Sequence, residues 1–299
     1  MQRSVAMPPI APSRGLPPAK FALLSLTCAL WATACGSASA AGEAIGWKRL
    51  GAGVDYATFL LDENPIAGDG VLHVVRVDAD LADVVAVLAS EQGVPPRTAG
   101  SWSERNGLLV AMNLGMYETD GRTNVGYLRN GPHLNNGRWK KTYNSALGFG
   151  RADGGVPRAR FVDLDTDAGT APLAEFPSVV QNLRLIRAPG QNVWAENDKR
   201  WSEAALGADA RGRLYLLFCR SPYSMVEFNK KVLGLPLGIV RAMHVEGGPE
   251  ASLSIHAPGM TLDLAGSYET GVNPTNANPR QWPIPNVLGV RARPQVRLP

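Results

Sequence analysis

Apolar residues in this chain fall mostly in short runs, and only once at clear helical spacing. Residues 71–78 and 81–89 are rich in Val and Leu with partial alternation, which predicts two strands. Residues 108–112 (LLVAM) form an unbroken apolar run, as a buried strand does, and 213–220 (RLYLLFCR) and 237–243 have the same form. Pro95-Pro96 breaks the chain ahead of a short helix predicted over 99–106. Asp153-Gly154-Gly155 and Asp167-Ala168-Gly169 mark turns. The one clear helical period runs from about 222 to 233. Met225, Phe228 and Val232 fall on one face, and Glu227, Lys230 and Lys231 on the other. Ser221 is placed to cap this helix, with Pro222 at its first position, and Gly234 and Pro236 end it. There is no repeat or long linker after Trp47. The pattern therefore predicts one α+β domain over 41–299, a strand-dominated mixed sheet with few, scattered helices.

Residues 1–40 read differently. Arg3, Arg14 and Lys20 precede an apolar run over 21–31, and small residues follow, ending Ala38-Ser39-Ala40. This is the order of a secretory signal, with cleavage expected after Ala40. The apolar run is too short to span a bilayer. An alternative is lipid attachment at Cys35, after Ala32-Thr33-Ala34. The expected location is periplasmic or extracellular, or that of a lipoprotein.

The leader also changes the charge. It holds three bases and no acid, so the net charge of +4 becomes +1 without it. A near-neutral mature chain gives no reason to expect a nucleic-acid partner. Cys28 and Cys35 go with the leader. The remaining Cys219 sits in an apolar run and is expected to be a buried small hydrophobe rather than a nucleophile. His73, His133, His244 and His256 show no metal-ligand spacing, and there is no phosphate-binding loop, dinucleotide fingerprint or nucleophile elbow. No cofactor or metal is expected.

Three segments carry candidate chemistry. The first, 112–131 (MNLGMYETDGRTNVGYLRNG), runs from a strand into a Gly-punctuated hairpin carrying Asn113, Glu118, Asp120 and Arg122. The second, 200–207 (RWSEAALG), puts Arg200 just before a strand. The third, 244–255 (HVEGGPEASLSI), turns from a strand into Gly-Gly with Glu246 at the bend. Glycines let backbone approach a ligand closely. Each segment also has a plain structural reading: a hairpin, a surface ion pair, and a solvated turn acid.

In order and content these segments resemble the phosphodiester glycosidase family. The resemblance rests on 113–117 (NLGMY), Gly126 with Asn130-Gly131, Arg200 with Gly207, Glu246-Gly247-Gly248 with Ser252, and the closing 282–287 (WPIPNV), and spans roughly residues 48 to 292. It implies an α+β fold and hydrolysis of the bond between a sugar's anomeric carbon and a phosphate oxygen. Glu246 stands where the family pattern carries Asp. This moves the carboxylate outward by about 1.5 Å, and catalytic geometry tolerates little misplacement.

Phosphate is a good leaving group, so a cation for the phosphate and a carboxylate matter more than the two-carboxylate machinery of ordinary glycosidases. The expected assignment has Arg200 clamping the phosphate with its planar fork. Glu246 supplies the carboxylate, Asn113 bonds a sugar hydroxyl or the phosphate, and Asp120 is the best second carboxylate. Gly247 and Gly248 offer backbone N–H groups, and Ser252 a hydroxyl. Gly115, Gln181 and Arg184 are expected at the pocket, and Tyr117 and Trp201 as rings for a sugar face or for the core. His244 precedes Glu246 by two and shares its face if the strand continues. The expected function is that of an exported hydrolase of a sugar-1-phosphodiester in an envelope polymer, glycolipid or glycan. The alternative is an envelope glycan-binding protein that uses the same pocket without cleaving.

Overall fold

The computed structural model describes residues 46–151 and 157–293. The leader with its cleavage site, Cys35 and the 153–155 turn lie outside the described residues. The elements follow as strands β1 (Lys48–Gly51), β2 (Val54–Leu60), β3 (Val71–Val77) and β4 (Ala82–Leu88), then helices α1 (Ala89–Gln92) and α2 (Ala99–Asn106). Next come β5 (Val110–Asn113), β6 (Leu128–Asn130), β7 (His133–Asn136), β8 (Ser145–Phe149), β9 (Ala159–Asp163), β10 (Ser178–Arg187), β11 (Gln191–Asn192), β12 (Trp201–Asp209) and β13 (Leu214–Tyr223). Helix α3 (Met225–Leu233) and strands β14 (Ile239–Gly247), β15 (Ser252–Ala257), β16 (Met260–Ala265) and β17 (Asn286–Ala292) complete the chain.

The strands form two sheets, not the single mixed sheet expected. The larger has 12 strands, with the path β1-β2-β3-β13-β12-β14-β10-β6-β7, and the smaller has five, β16-β15-β5-β17-β4. Neighbouring strands pair antiparallel throughout the described residues, as in the β12–β14, β13–β3 and β5–β17 ladders. Hairpins and short loops supply such pairings, whereas parallel strands need long crossovers that a helix-poor chain lacks.

The sheets pack face to face. Val75, Leu206, Leu216, Met243 and Val245 from the larger sheet meet Val110, Met112, Leu253, Ile255 and Leu288 from the smaller in one core. Each central strand is covered on its other face as well, which is why its sequence is an apolar run rather than a clean alternation. β5 is buried at all four positions. Its outer face lies under α2, whose fully buried Trp102 donates its indole N–H to the Ile284 carbonyl at 2.9 Å. The outer face of the larger sheet carries a second core, with Leu217, Cys219, Met225, Phe228 and Val232. Cys219 is a buried free thiol, and burial pushes its pKa up.

Helix α2 spans the residues its pattern predicted, between the Thr98 cap and Gly107 in the left-handed conformation. The start of α3 is a correction. Ser221 and Pro222 belong to β13, which runs on because Tyr223 pairs with Trp201 and the Ser221 hydroxyl accepts the Gly70 N–H. The true cap is Ser224. Its hydroxyl accepts the Glu227 N–H while Glu227 reaches back to the Ser224 N–H, a reciprocal capping box.

Candidate active site: a glutamate cleft at the end of the larger sheet

Strand β14 continues through the predicted bend, so neighbouring side chains serve different surfaces. Met243 and Val245 enter the sandwich core. His244 and Glu246 line a cleft of about 300 Å³. Glu246 lies opposite Ala204 and His244 opposite Ala205, which makes Val245 the extra residue of a β-bulge. Bulges beside functional sites re-aim side chains in this way.

Leu183, Trp194, Trp201 and Met225 form apolar walls around these two residues; Glu250 reaches the cleft from the short 3-10 turn Gly248–Glu250, and Glu269 and Met116 from loops. Glu269 is presented by the segment after β16, which is laced to the start of β12. Ser202 N–H bonds the Tyr268 carbonyl, and the Thr270 N–H bonds the Arg200 carbonyl. Two glycines make room for this assembly. A Cβ on Gly247 would fall 2.7 Å from the Trp201 ring. Gly248, at φ +64°, would place one 2.6 Å from Glu269 Oε2.

Behind the cleft lies a buried pair. Glu203 of β12 holds His244 Nδ1 at 2.7 Å through one carboxylate oxygen and accepts the Trp201 indole N–H at 2.8 Å with the other. Both residues are almost wholly buried. Burial raises the Glu203 pKa against the pull of the His244 charge and the hydrogen bonds from His244 and Trp201. When Glu203 is ionised, Nδ1 carries the proton and Nε2 is left toward the cleft. Burial alone would lower the His244 pKa. The Glu203 charge and hydrogen bond, with Glu246 and Glu269 adding to them, outweigh burial and raise it.

The carboxyl groups move in the same direction. Burial, reinforced by the charges of Glu250 and Glu269, pushes Glu246 up to about 8 against the pull of His244 and the Gly247 N–H. Glu250 is raised by burial and by Glu269, and Glu269 by burial against the nearby charges of His244 and Lys199. The cleft thus combines a Glu246 held protonated at neutral pH, a histidine whose protonated form is favoured by Glu203, and two further acids whose charges act on the titration of Glu246. Such a set can give a proton and take one. Among the described residues no Lys or Arg lines the cleft, and no group of His, Cys, Asp and Glu is arranged to hold a metal ion.

The residues singled out from the sequence are only partly brought together. Glu246, Gly247 and Trp201 line the cleft, and Gly248 supports it. Asn113 is buried one step behind it. Its amide donates to the Glu250 carbonyl at 3.0 Å and accepts the Ser252 N–H at 2.7 Å, and the Ser252 hydroxyl bonds the same carbonyl. Asn113 and Ser252 therefore fix the turn that carries Glu250. Gly115 packs against the side chains of Asn124 and Asn182. Tyr117 packs on the outer core of the smaller sheet, close enough to Glu246 and Glu250 for their charges to add to the upward push of burial on its phenol.

The others stand apart from the cleft lining. Arg200 grips both carboxylate oxygens of Glu227, at 2.5 and 2.8 Å, on the first turn of α3. Arg184 is held by both oxygens of Asp165, while its carbonyl accepts the Trp194 indole N–H at 2.7 Å. Gln181 is buried with both ends of its amide engaged. Asp120 is exposed and closes its own turn, accepting from the Arg122 and Thr123 N–H groups and the Thr123 hydroxyl. Those bonds hold its pKa down.

Glu203, Glu250 and Glu269 were not legible as site residues. The only signal for Glu203 was a lone acid within an apolar strand. The signal for Glu250 was its closeness to the Gly-Gly turn. Glu269 lies in an irregular segment with no local signal.

A family model described as phosphodiester glycosidase matches residues 106–291. Among solved structures the fold is similar to the zebrafish N-acetylglucosamine-1-phosphodiester alpha-N-acetylglucosaminidase catalytic domain, auto-inhibited by its pro-peptide. That match has a TM-score of 0.54 at 15% identity and covers 84% of this chain and 87% of that one. A hypothetical protein from Synechocystis matches with a TM-score of 0.52 at 13% identity, over 81% of this chain and 62% of that one. No curated protein matches the chain.

Proposed function

The chain belongs to the phosphodiester glycosidase family, and on that premise we propose that it is an exported hydrolase cleaving the glycosidic bond of a sugar-1-phosphodiester in an envelope polymer, glycolipid or glycan. The observation that carries this reading is Glu246. It is the acid of the turn that resembles the family pattern, and it lies in a cleft with an apolar wall and two further carboxyl groups. Export rests on the leader pattern of residues 1–40.

The chemistry follows from the unequal environments of the acids. Glu246, expected from the sequence as the ionised carboxylate, is instead held protonated at neutral pH by burial and gives its proton to the bridging phosphate oxygen as the bond to the anomeric carbon breaks. Glu269 is raised by burial, but less enclosed than Glu246 and opposed by the charges of His244 and Lys199, it is the acid of the two that gives up its proton first. It takes the proton of the attacking water or steadies the oxocarbenium ion. His244, whose protonation Glu203 favours, offers in its protonated form the positive charge that lets an anion enter a cleft of carboxyl groups. Trp194 and Trp201 supply faces for the sugar. Arg200, through Glu227, frames the wall formed by α3.

The test is release of reducing sugar from a sugar-1-phosphodiester. Wild type is expected to turn over and Glu246→Gln to stop, and equal rates in the two would sink the assignment. The second reading, a glycan-binding protein without turnover, draws on Glu246 standing where the family pattern has Asp. Binding without turnover across a broad phosphodiester panel would favour it.

A further inference from the structure

The cleft leaves a problem of charge. A phosphodiester is an anion, and the one basic side chain among the described cleft residues is His244. Two further cations stand next door. The hairpin over 116–125 is closed by Val125 N–H to the Met116 carbonyl at 2.9 Å and Glu118 N–H to the Thr123 carbonyl at 2.7 Å. Met116 lines the cleft. Glu118, Thr123 and Val125 line a neighbouring groove of about 790 Å³, together with Arg138 and Lys140. Two residues of extended chain cover only about 7 Å, so cleft and groove share this hairpin as a wall. Tyr143 links them too, since its buried phenol feels both Glu118 and Glu246.

The far side of the groove is held in place. The Gln181 side chain uses its whole hydrogen-bonding capacity there. It accepts the N–H groups of Lys140 at 2.8 Å and Tyr127 at 3.3 Å, and donates to the carbonyls of Lys140 at 2.8 Å and Tyr143 at 2.6 Å. Asn136 accepts the Arg138 N–H at 2.9 Å, and Trp139 stacks on Tyr127 with ring centroids 4.4 Å apart. Arg138 and Lys140 are exposed, with no carboxylate partner among the described residues, and Lys140 Nζ lies 4.6 Å from the centre of the Tyr143 ring. The backbone is fixed, and neither charge is neutralised by a carboxylate among the described residues.

We propose that this groove is the phosphate and aglycone subsite of the hydrolase reading above. In that arrangement Arg138 and Lys140 hold the phosphate, and Gln181 positions the strap over 137–143 that carries them. The substrate class narrows accordingly, because a groove larger than the cleft suits a sugar-1-phosphodiester whose second ester partner is extended rather than a small alcohol. Gln181 then acts through the strap and not by touching substrate.

The experiment compares wild type, the double variant Arg138→Ala/Lys140→Ala and Glu246→Gln on two substrates. One is a glycosyl-1-phospho-polyol, and the other an aryl glycoside of the same sugar without phosphate. The double variant is expected to lower the phosphodiester-to-aryl ratio of kcat/KM by roughly tenfold per cation removed, mainly through KM, and to blunt the dependence on salt. An unchanged ratio, with Glu246→Gln inactive, overturns the subsite and leaves the hydrolase standing. Calorimetric titration of the same phosphodiester into wild type and double variant reads the subsite without turnover. Loss of affinity in the variant supports it even if no hydrolysis is seen in wild type, and equal affinity overturns it.

Discussion

The two surfaces served by β12 and β14 make an instructive contrast. Toward the sandwich they present Ala204, Leu206, Met243 and Val245, apolar and closely packed. On the other face the same strands carry His244 and Glu246 into the cleft, with Glu203 buried behind them. The first surface stabilises the fold by removing apolar area from water. The second places ionisable groups where burial penalises their charge, and a buried ion pair seldom returns more than its desolvation costs. One strand thus carries stability on one side and chemistry on the other, and the two sides should fail differently when altered.

The widest separation is expected from Glu246→Gln. It should cut turnover by about 10²–10⁴-fold while leaving a folded protein. Its effect on stability has the opposite sign and depends on pH. The folded-state pKa of Glu246 is raised from 4.5 to about 8. The stability linked to its proton is therefore complete below about 4.5 and lost as pH rises through 8. The variant has no such loss, so its Tm should gain on wild type between pH 5 and pH 9. A constant difference across that range would show that Glu246 is not held protonated. Wild-type turnover should likewise fall as pH rises through about 8.

On the core side, Met243→Ala should destabilise by about 2–5 kcal/mol in denaturant unfolding, with turnover per folded molecule close to wild type. If it abolishes turnover while the protein stays folded, the two surfaces are coupled rather than separate. A smaller effect is expected from Glu203→Gln. The raised pKa of His244 depends on the Glu203 charge and hydrogen bond working against burial. Without that charge His244 should lose its proton at lower pH, and KM for a phosphodiester should rise on the alkaline side. An unchanged pH profile would make Glu203 a structural acid only.

How much of this was legible in the chain depends on how local the cause was. Helix α2 could be read to the residue because its cap, Thr98, and its stop, Gly107, are its own neighbours. The start of α3 was misplaced by a Ser-Pro pair that looks like a cap and is instead the end of a paired strand, though the Ser224 and Glu227 capping box was present in the sequence. The sandwich could not be read from residue pattern, because an apolar run records burial on both faces but not which sheet supplies the cover. The same limit applies to the site. Glu246 sits at a Gly-Gly turn that marks it. Glu269 reaches the cleft, and Glu203 the back of it, through pairings with distant strands and loops, such as the Trp201–Glu269 bridge. For Arg200 the sequence showed a cation before a strand but not the Glu227 that occupies it.

Arg200 therefore gives the smallest and most discriminating test of the contrast. Its guanidinium meets Glu227 with both residues about one-third exposed, and exposed ion pairs contribute little. The pair also joins the capping box, because Glu227 accepts the Ser224 N–H and hydroxyl. Arg200→Ala should then cost about 1 kcal/mol, with high salt closing part of the gap. α3 also supplies Met225 to the cleft wall, so a modest rise in KM is expected on phosphodiester and aryl glycoside alike. A loss confined to the phosphodiester, and larger than that of Arg138→Ala/Lys140→Ala, would mean that Arg200 leaves Glu227 when substrate binds. The phosphate would then lie toward α3 rather than toward the strap over 137–143.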